Sequence, residues 1–236
     1  FHLAAQAGVR KSWGQNFRVC SVNNVEATQT LLEACVGTPI ERLVYTSSSS
    51  VYGDSEALPM REDARLQPVS PYGVTKLAAE QLCYLYHINY GVPAVALRLF
   101  TVYGPRQRPD MGFSRFLRAA VGGDIVHQVG EGRQTRDFTF VDDAVTAIVA
   151  AAGHGTPGGV YNIGGGSRVE LLAVFELIRR VTGRPIRVER TDAQRGDMRD
   201  TYADTTRAKE DLAFAPTTTL EDGLRAQYEW MTAGHD

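Results

Sequence analysis

The chain has 236 residues and a formal net charge of -2, with 43% hydrophobic and 22% charged residues. These values are ordinary for a soluble globular protein that builds one core, or one core and a smaller lobe, so they exclude a disordered chain. Because no long run of Lys or Arg occurs, the sequence also lacks the positive footprint of proteins that bind DNA or RNA.

The first half of the chain alternates helix-length segments with short apolar runs. We predict a helix over Val25–Val36, a buried strand over Arg42–Ser47 and a second helix over Pro71–Tyr90, with Ser70 as its N-cap. The run Val92–Phe100 is then a further buried strand. This alternation is typical of a parallel sheet covered by helices, so it predicts an α/β fold.

Beyond Tyr103 a Gly-, Pro- and Arg-rich loop begins, and we expect a second lobe to start there. Asp142 or Asp143 is expected to cap one helix, and Ser167 with Glu170 to form a capping box before another. The elements predicted in this half are a helix over Phe113–Val121, a helix ending at Ala152, a strand over Val160–Ile163, a helix ending near Gly183 and a terminal helix over Thr219–Met231.

Tyr72 and Lys76 stand four residues apart, so their side chains share one face of the second helix. A phenol has a pKa of about 10, and a neighbouring ammonium favours its ionised form, which makes tyrosine usable as a general base. The pair alone also occurs by chance in many helices. The hydroxyl run Thr46–Ser50 lies at the carboxyl end of the preceding strand, where α/β folds bind ligands. Together these residues predict a site that removes a proton from one substrate oxygen.

Three cysteines and the apolar stretches bear on where the protein works. Cys20, Cys35 and Cys83 are far apart, which argues against a zinc site or a disulfide framework. The most apolar stretch, Val145–Ala152, is far shorter than the roughly 20 residues needed to cross a bilayer. We therefore predict a cytoplasmic protein with no metal site, no membrane span and no nucleic-acid partner.

Seven ordered segments spanning nearly the whole chain carry a resemblance to a known family. They are HLAAQAGVR (His2–Arg10), TSSSSVYG (Thr46–Gly53), SPYGVTK (Ser70–Lys76), LRLFTVYGPRQRPDM (Leu97–Met111), GRQTRDFTFVDD (Gly132–Asp143), YNIGGG (Tyr161–Gly166) and RGDMRDTYAD (Arg195–Asp204). The sequence resembles the NAD-dependent epimerase/dehydratases, which are extended short-chain dehydrogenase/reductases, and within them the UDP-glucuronate and UDP-glucose 4-epimerases.

The resemblance implies a Rossmann-like, doubly wound parallel sheet with a smaller C-terminal substrate-binding lobe. We expect residues 1–105 to form the C-terminal part of the NAD-binding domain. Residues 106–236 would form mainly the nucleotide-sugar lobe, with 138–165 returning to the first domain. Family members are commonly homodimers through a four-helix interface, which Val25–Val36 and Pro71–Tyr90 would supply here.

The resemblance also implies site residues. Ser48 is similar to the catalytic hydroxyl, Tyr72 to the base, and Lys76 to the residue that holds the NAD ribose and lowers the pKa of the tyrosine. The other implied ligands are Ala4, Ala5 and Asn24 for NAD, and Arg136, Arg195 and Asp197 for UDP. A single surface arginine more often forms a solvated salt bridge, but a diphosphate requires paired charge-assisted hydrogen bonds.

The activity implied is that of an isomerase, an NAD-dependent UDP-sugar 4-epimerase that works through a 4-keto intermediate. Related 4,6-dehydratases and 4-keto reductases share the tyrosine and lysine. Dehydratases carry a carboxylate in the hydroxyl loop, whereas no Asp or Glu precedes Tyr52 in this loop. A sugar-nucleotide-binding remnant without turnover is the non-enzyme alternative.

Thr101 and Arg108 bear on the choice of substrate. Thr101 stands where many UDP-galactose-type epimerases carry Asn, and this form resembles UDP-glucuronate 4-epimerases, in which the arginine can meet the C6 carboxylate. A buried arginine facing a carboxylate contributes ~1.5–3 kcal/mol. Similar segments occur in relatives assigned to UDP-glucose, so both substrates stay open.

Enzymes of this family begin with a strand, a Gly-x-x-Gly-x-x-Gly loop at a helix N-terminus and an acidic residue for the adenosine ribose. The sequence contains none of these, and Gly164–Gly166 lack the spacing. We therefore expect a segment to precede Phe1, and the 236-residue chain alone to bind NAD poorly and to be inactive or unstable.

Overall fold

The structure is a computed structural model that describes residues 1–55, 57–191 and 196–234. No helix in this part of the chain combines the length and hydropathy that crossing a bilayer would take. The elements in chain order are α1 (Asn16–Ser21), a π-helical turn (Val22–Glu26), α2 (Ala27–Cys35), β1 (Leu43–Ser48), α3 (Pro71–Tyr90), β2 (Ala94–Leu99), β3 (Val102–Tyr103), α4 (Gly112–Gly122), β4 (Ile125–Val129), β5 (Thr135–Asp137), β6 (Thr139–Phe140), α5 (Val141–His154), β7 (Val160–Ile163), β8 (Arg168–Glu170), α6 (Leu171–Thr182), β9 (Arg187–Thr191), α7 (Thr206–Leu212) and α8 (Leu220–Thr232).

A parallel sheet with the strand order β1-β2-β7 forms the centre of the first half. Its side chains alternate between two faces, as strand geometry requires. Val44 and Val95 face α5 and α7, while Leu43 and Tyr45 face α2 and α3. Because helices cover both faces of a parallel sheet, the predicted α/β class is confirmed. His2 pairs with Tyr45 on the other side of β1, which places the first residues beside that strand.

Helix α3 begins and ends where its sequence signals predict. The Ser70 hydroxyl accepts a hydrogen bond from the Gly73 amide at 3.1 Å, and Pro71 occupies the first turn. Gly91 ends the helix in the left-handed conformation, with φ of 69°. Since α3 connects two parallel neighbours, it runs back along the sheet and its first turn lies at the carboxyl ends of the strands. This places Tyr72 close to the end of β1.

Two predicted helix caps are wrong. Helix α5 begins at Val141 without a side-chain cap, and Asp143 instead accepts hydrogen bonds from the amides of Thr217 and Thr218 at 3.1 and 3.2 Å. Ser167 and Glu170 form no capping box, because residues 168–170 pair with β5 as an antiparallel strand and the helix starts only at Leu171. In both cases a contact distant in sequence replaces a local one.

A second hydrophobic core lies among α4, α6 and α8. Phe113 and Leu117 of α4 pack with Val174 and Ile178 of α6 and with Leu224 of α8. Two short parallel strands, β4 and β9, join this group of helices. The predicted division of the chain at residue 105 stays a prediction.

Candidate active site

A cavity of about 660 Å³ opens at the carboxyl ends of β1 and β2. Its walls come from the serine turn after β1, the start of α3, the loop around residues 101–108 and the segment 196–198. This is the edge of a parallel sheet at which α/β proteins bind ligands. The site residues expected from the sequence that line it are Ser48, Tyr72, Thr101, Arg108, Arg136 and Asp197.

Tyr72 and Ser48 both line the cavity. The backbone amide of Tyr72 donates to Ser12 Oγ at 3.1 Å, which fixes the first turn of α3 to the N-terminal segment. Burial raises the pKa of the phenol, and the Ser48 hydroxyl and the charge of Arg108 oppose this rise. Lys76, which the sequence suggested as the group lowering this pKa, is not among the main contributors.

Lys76 is almost fully buried, with 3% of its surface exposed. Its ammonium donates to the Thr46 carbonyl at 2.5 Å and lies 4.5 Å from the centre of the Tyr45 ring. Burial lowers the pKa of Lys76 to about 8, while Cys83 and Glu80 raise it. Thr46 Oγ1 is buried without a hydrogen-bond partner among the described residues. A buried hydroxyl without a partner is suited to bind another polar group.

The structure does not bring Ala4, Ala5, Asn24 and Lys76 into the lining of the cavity. Ala4 and Ala5 are exposed. Asn24 is buried and holds the neighbouring backbone, because it accepts from the Gln6 amide at 2.7 Å and donates to the Gln6 carbonyl at 3.1 Å. Its third hydrogen bond, to Thr75 Oγ1 at 2.9 Å, ties this segment to α3.

Arg136 presents a guanidinium that is held by main-chain oxygens. It donates to the carbonyls of Thr135 and Arg199 at 2.8 and 2.9 Å and to that of Met198 at 2.5 Å. Burial lowers its pKa, while nearby carboxylates, Asp197 first, raise it. It forms no salt bridge within residues 1–55, 57–191 and 196–234. The charge therefore remains available to an anion in the cavity.

Asp197 has a partner that the sequence reading missed. Arg10 forms a two-pronged salt bridge with it, at 3.2 Å from Nε and 2.6 Å from Nη2. Arg10 is the last residue of the HLAAQAGVR segment, so the motif contained the signal. Arg195, the other ligand expected in this segment, lies outside the described residues.

Arg108 differs from the buried arginine that the sequence suggested. Its side chain is 45% exposed and bonds to Asp110 at 3.1 Å. The reason is local: Asp110 follows two residues later in the same loop, so the guanidinium reaches it without entering the interior. Arg108 nevertheless lines the cavity, and its charge acts on Tyr72.

A buried ion pair behind the cavity was also missed from the sequence. Arg98 of β2 bonds to Glu80 of α3 at 2.6 Å, and both are at most 3% exposed. Glu80 also accepts from Ser47 Oγ at 2.7 Å, and Arg98 donates to the Tyr52 hydroxyl at 2.8 Å. The sequence signals were an arginine inside an apolar strand and a glutamate one turn after Lys76.

Asp137, next to Arg136, connects the cavity wall to the sheet. Its buried carboxylate accepts from the amides of Gly165 at 2.7 Å and Ala203 at 3.0 Å. Burial raises the pKa of Asp137 to about 6 despite these hydrogen bonds. Thr135 pairs its backbone with Arg199, and the segment after residue 196 is thereby held beside β5.

Comparison with known proteins identifies relatives of the chain. The model of the NAD dependent epimerase/dehydratase family matches residues 1–164. A Bacillus subtilis protein named as an uncharacterized UDP-glucose epimerase, YtcB, is 43% identical over 234 residues, which are 99% of this chain and 74% of that protein.

Two solved structures are similar in fold and sequence. The UDP-glucuronic acid 4-epimerase of Bacillus cereus, in complex with UDP-glucuronic acid and NAD, superposes with a TM-score of 0.96 at 41% identity, covering 99% of this chain and 74% of that one. MoeE5, in complex with UDP-glucose and NAD, gives a TM-score of 0.94 at 45% identity, covering 100% and 79%. The predicted Rossmann-like fold is therefore confirmed.

Proposed function

The chain belongs to the NAD-dependent epimerase/dehydratase family, and we propose that it inverts C4 of a UDP-sugar, either UDP-glucuronate or UDP-glucose. NAD, the cofactor expected from the sequence, is the cofactor of this family. The observation that carries the proposal is that Tyr72 and Ser48 line one cavity together with Arg108 and Arg136. A proton acceptor with one cation for a diphosphate, Arg136, and a second cation on the loop that faces the sugar, Arg108, matches a sugar hydroxyl attached to a diphosphate.

Tyr72 and Ser48 would act on one oxygen of the substrate. Tyr72 takes the proton of the C4 hydroxyl, with its ionised form favoured by the Ser48 hydroxyl and the Arg108 charge against the effect of burial, and Ser48 holds the same oxygen by a hydrogen bond. Bound NAD would supply the hydride chemistry at C4, both its removal and its return. The 4-keto sugar turns about its link to the diphosphate, and Tyr72 gives the proton back to O4 after hydride has reached the opposite face. Proton and hydride are both restored, so the reaction has no net oxidation.

The residues beside β1 fit the cofactor. Lys76 offers a buried ammonium at the carboxyl end of β1, which suits the hydroxyls of a ribose. Asn24 would hold the backbone around Gln6, and through it the segment with Ala4 and Ala5, against this site. These are positioning and binding roles; proton transfer belongs to Tyr72.

The diphosphate would bind beside Arg136. Main-chain carbonyls orient this guanidinium but do not neutralise it, so an anion that replaces solvent there forms charge-assisted hydrogen bonds. Arg10 and Asp197 adjoin it, and we propose Asp197 as a ribose ligand of UDP. Arg195 completes the proposed set by its position in the RGD segment.

Arg108 favours the acid sugar among the two candidate substrates. It is a cation on the loop that faces Tyr72, and Thr101 lines the same wall. MoeE5 has been solved with UDP-glucose and also with UDP-glucuronic acid, so relatives of this kind accommodate both sugars. Dehydration is less suited to the site, because Asp197, paired with Arg10, is the one carboxylate among the described residues of the cavity lining.

Product analysis on the full-length protein tests the proposal. UDP-glucuronate and UDP-glucose are incubated separately with the enzyme and NAD, and the products are separated and their masses are measured by mass spectrometry. Inversion at C4 without a change of mass supports epimerisation, whereas loss of water would establish a dehydratase. UDP binding by calorimetry without any product would establish a binding protein. Arg108→Gln is the matched variant, and it should weaken the reaction of the acid sugar more than that of UDP-glucose, because its effect on Tyr72 is common to both substrates.

We also propose that the protein is a cytoplasmic homodimer. Exposed apolar residues lie on the first helices and on α3, among them Phe17, Val22, Tyr84, Leu85 and Ile88. Apolar surface of this kind is typical of a helical interface. The three cysteines are free, as in a reducing compartment. Light scattering coupled to gel filtration measures the mass, and a monomer at micromolar concentration would refute the dimer.

A further inference from the structure

We propose that Gln227 of α8 is a positioning residue for substrate selection, because it fixes the loop that carries Arg108. The inference rests on the proposed function, in which Arg108 meets the carboxylate of the acid sugar. Gln227 contributes no atom to the cavity lining and acts through the backbone of residues 102–108.

The Gln227 amide uses both of its ends on this loop and on α4. It is 3% exposed. Its oxygen accepts from the Gly104 amide at 3.1 Å. Its nitrogen donates to Gln107 Oε1 at 3.1 Å and to Ser114 Oγ at 3.2 Å. A buried amide with donor and acceptor both satisfied holds its partners in one arrangement.

Gln107 and Ser114 extend these contacts along the loop. Gln107 accepts from the Ser114 amide at 3.0 Å and donates to the Val102 carbonyl at 3.1 Å. Ser114 Oγ in turn donates to the Gln107 carbonyl at 3.0 Å. The loop is thus tied to α4 and α8 at Gly104 and at Gln107, and Arg108 follows directly after the second tie.

The backbone between these ties is strained. Arg106 has φ of 63°, a left-handed conformation that a residue with a side chain rarely adopts. Such a conformation persists when surrounding contacts over-determine it. The ties at Gly104 and Gln107 flank Arg106 on both sides, so they supply that constraint, and their loss would let the loop relax.

Arg108 depends on this loop for its position. Its bonds within the described part of the chain go to Asp110 at 3.1 Å and Met111 Sδ at 3.5 Å, both in the same loop. No second element therefore fixes the guanidinium directly. A shift of the loop displaces Arg108 from the substrate, which weakens recognition of a carboxylate at C6 but not of a neutral hydroxymethyl group.

The test compares the dissociation constants of UDP-glucuronate and UDP-glucose by calorimetry on the full-length protein with NAD. Gln227→Leu keeps the size of the side chain but removes its hydrogen bonds. We expect it to weaken the binding of UDP-glucuronate about 10-fold, as the loss of one charge-assisted contact would, and to leave the binding of UDP-glucose within about 2-fold. Gln128→Leu is the matched control, because Gln128 is also 3% exposed but bonds to Gly130. It should leave unchanged the ratio of the dissociation constant of UDP-glucuronate to that of UDP-glucose.

Arg108→Gln separates the failure of the proposed function from that of the inference. If Arg108→Gln leaves the ratio unchanged, the carboxylate role of Arg108 is wrong and the inference falls with it. If Arg108→Gln raises this ratio but Gln227→Leu weakens the binding of both ligands equally, or of neither, the inference alone is overturned. Adding Gln227→Leu to Arg108→Gln should change the ratio no further. Should Gln227→Leu fail to fold, Ser114→Ala removes part of the same network and should shift the ratio in the same direction by a smaller factor; an unchanged ratio there would also overturn the inference.

Discussion

Replacing Lys76 with methionine should stabilise the folded protein at neutral pH while abolishing turnover. Lys76 is 3% exposed, and burial lowers the pKa of its ammonium from 10.5 to about 8. The folded state thus holds this proton less tightly than the unfolded state does. Stability associated with the neutral amine is present above pH 10.5 and is lost as pH falls through 8. Methionine keeps the aliphatic stem and carries no charge, so it avoids this penalty.

The size of the effect follows from the shift. A difference of 10.5 - 8, about 2.5 pKa units, corresponds to about 3 kcal/mol at pH 7, where the amine is charged in both states, and to about 2 kcal/mol at pH 9, where it is mostly neutral when folded. The hydrogen bond to the Thr46 carbonyl and the contact with Tyr45 favour the ammonium and are lost in the methionine variant, so they reduce this gain.

Urea unfolding of wild type and Lys76→Met at pH 7 and pH 9 measures this difference. We expect the variant to be more stable at pH 7, and the difference in free energy of unfolding between variant and wild type to be about 1 kcal/mol smaller at pH 9. Product analysis should show no turnover by the variant at either pH. A variant less stable than wild type at pH 7, or a gap that does not depend on pH, would refute the reasoning that burial of the ammonium opposes folding.

The other predictions concern the base, the buried ion pair and one tight glycine. Tyr72→Phe should lower turnover by ~10²–10⁴-fold while calorimetry shows UDP binding unchanged, and retained activity would remove the phenol from the mechanism. Glu80→Gln should lower the free energy of unfolding by ~3–5 kcal/mol because Arg98 stays buried and charged; the double variant Glu80→Leu/Arg98→Met should recover most of it in urea titrations, and equal stability of single variant and wild type would contradict this. Gly165→Ala should destabilise by more than ~1 kcal/mol, since a Cβ there would lie 1.9 Å from a backbone oxygen, while Gly153→Ala in open space should be neutral or stabilising by thermal melting.

Local signals predicted the centre of the fold well. The apolar strands β1 and β2 and the caps of α3 at Ser70 and Gly91 depend on residues close in sequence, and these elements were predicted within a few residues. The cap at Ser167 was wrong because residues 168–170 pair with a strand about 30 residues earlier, which no local pattern reveals. Strands β4 and β9 were missed for the same reason.

The candidate site divides in a similar way. Motifs identified the residues that the structure gathers at the cavity, including Ser48, Tyr72 and Arg136. They did not reveal the direction in which Lys76 points, nor the pairing of Arg10 with Asp197 across 187 positions. Side-chain direction and long-range pairing arise from packing, so a linear pattern indicates which residues take part but not which atoms meet.

The carboxylate of Asp137 forms hydrogen bonds with the main chain of its neighbours. Gly165 and Ala203 contribute amides to it, not side chains, and the backbone of Thr135 likewise pairs with that of Arg199. Any residue other than proline supplies the same amide. The main-chain part of the anchorage of residues 196–203 therefore survives exchange of their side chains for any residue but proline, whereas the bonds of Asp197, Asp200 and Thr201 are made by side chains and would be lost with them.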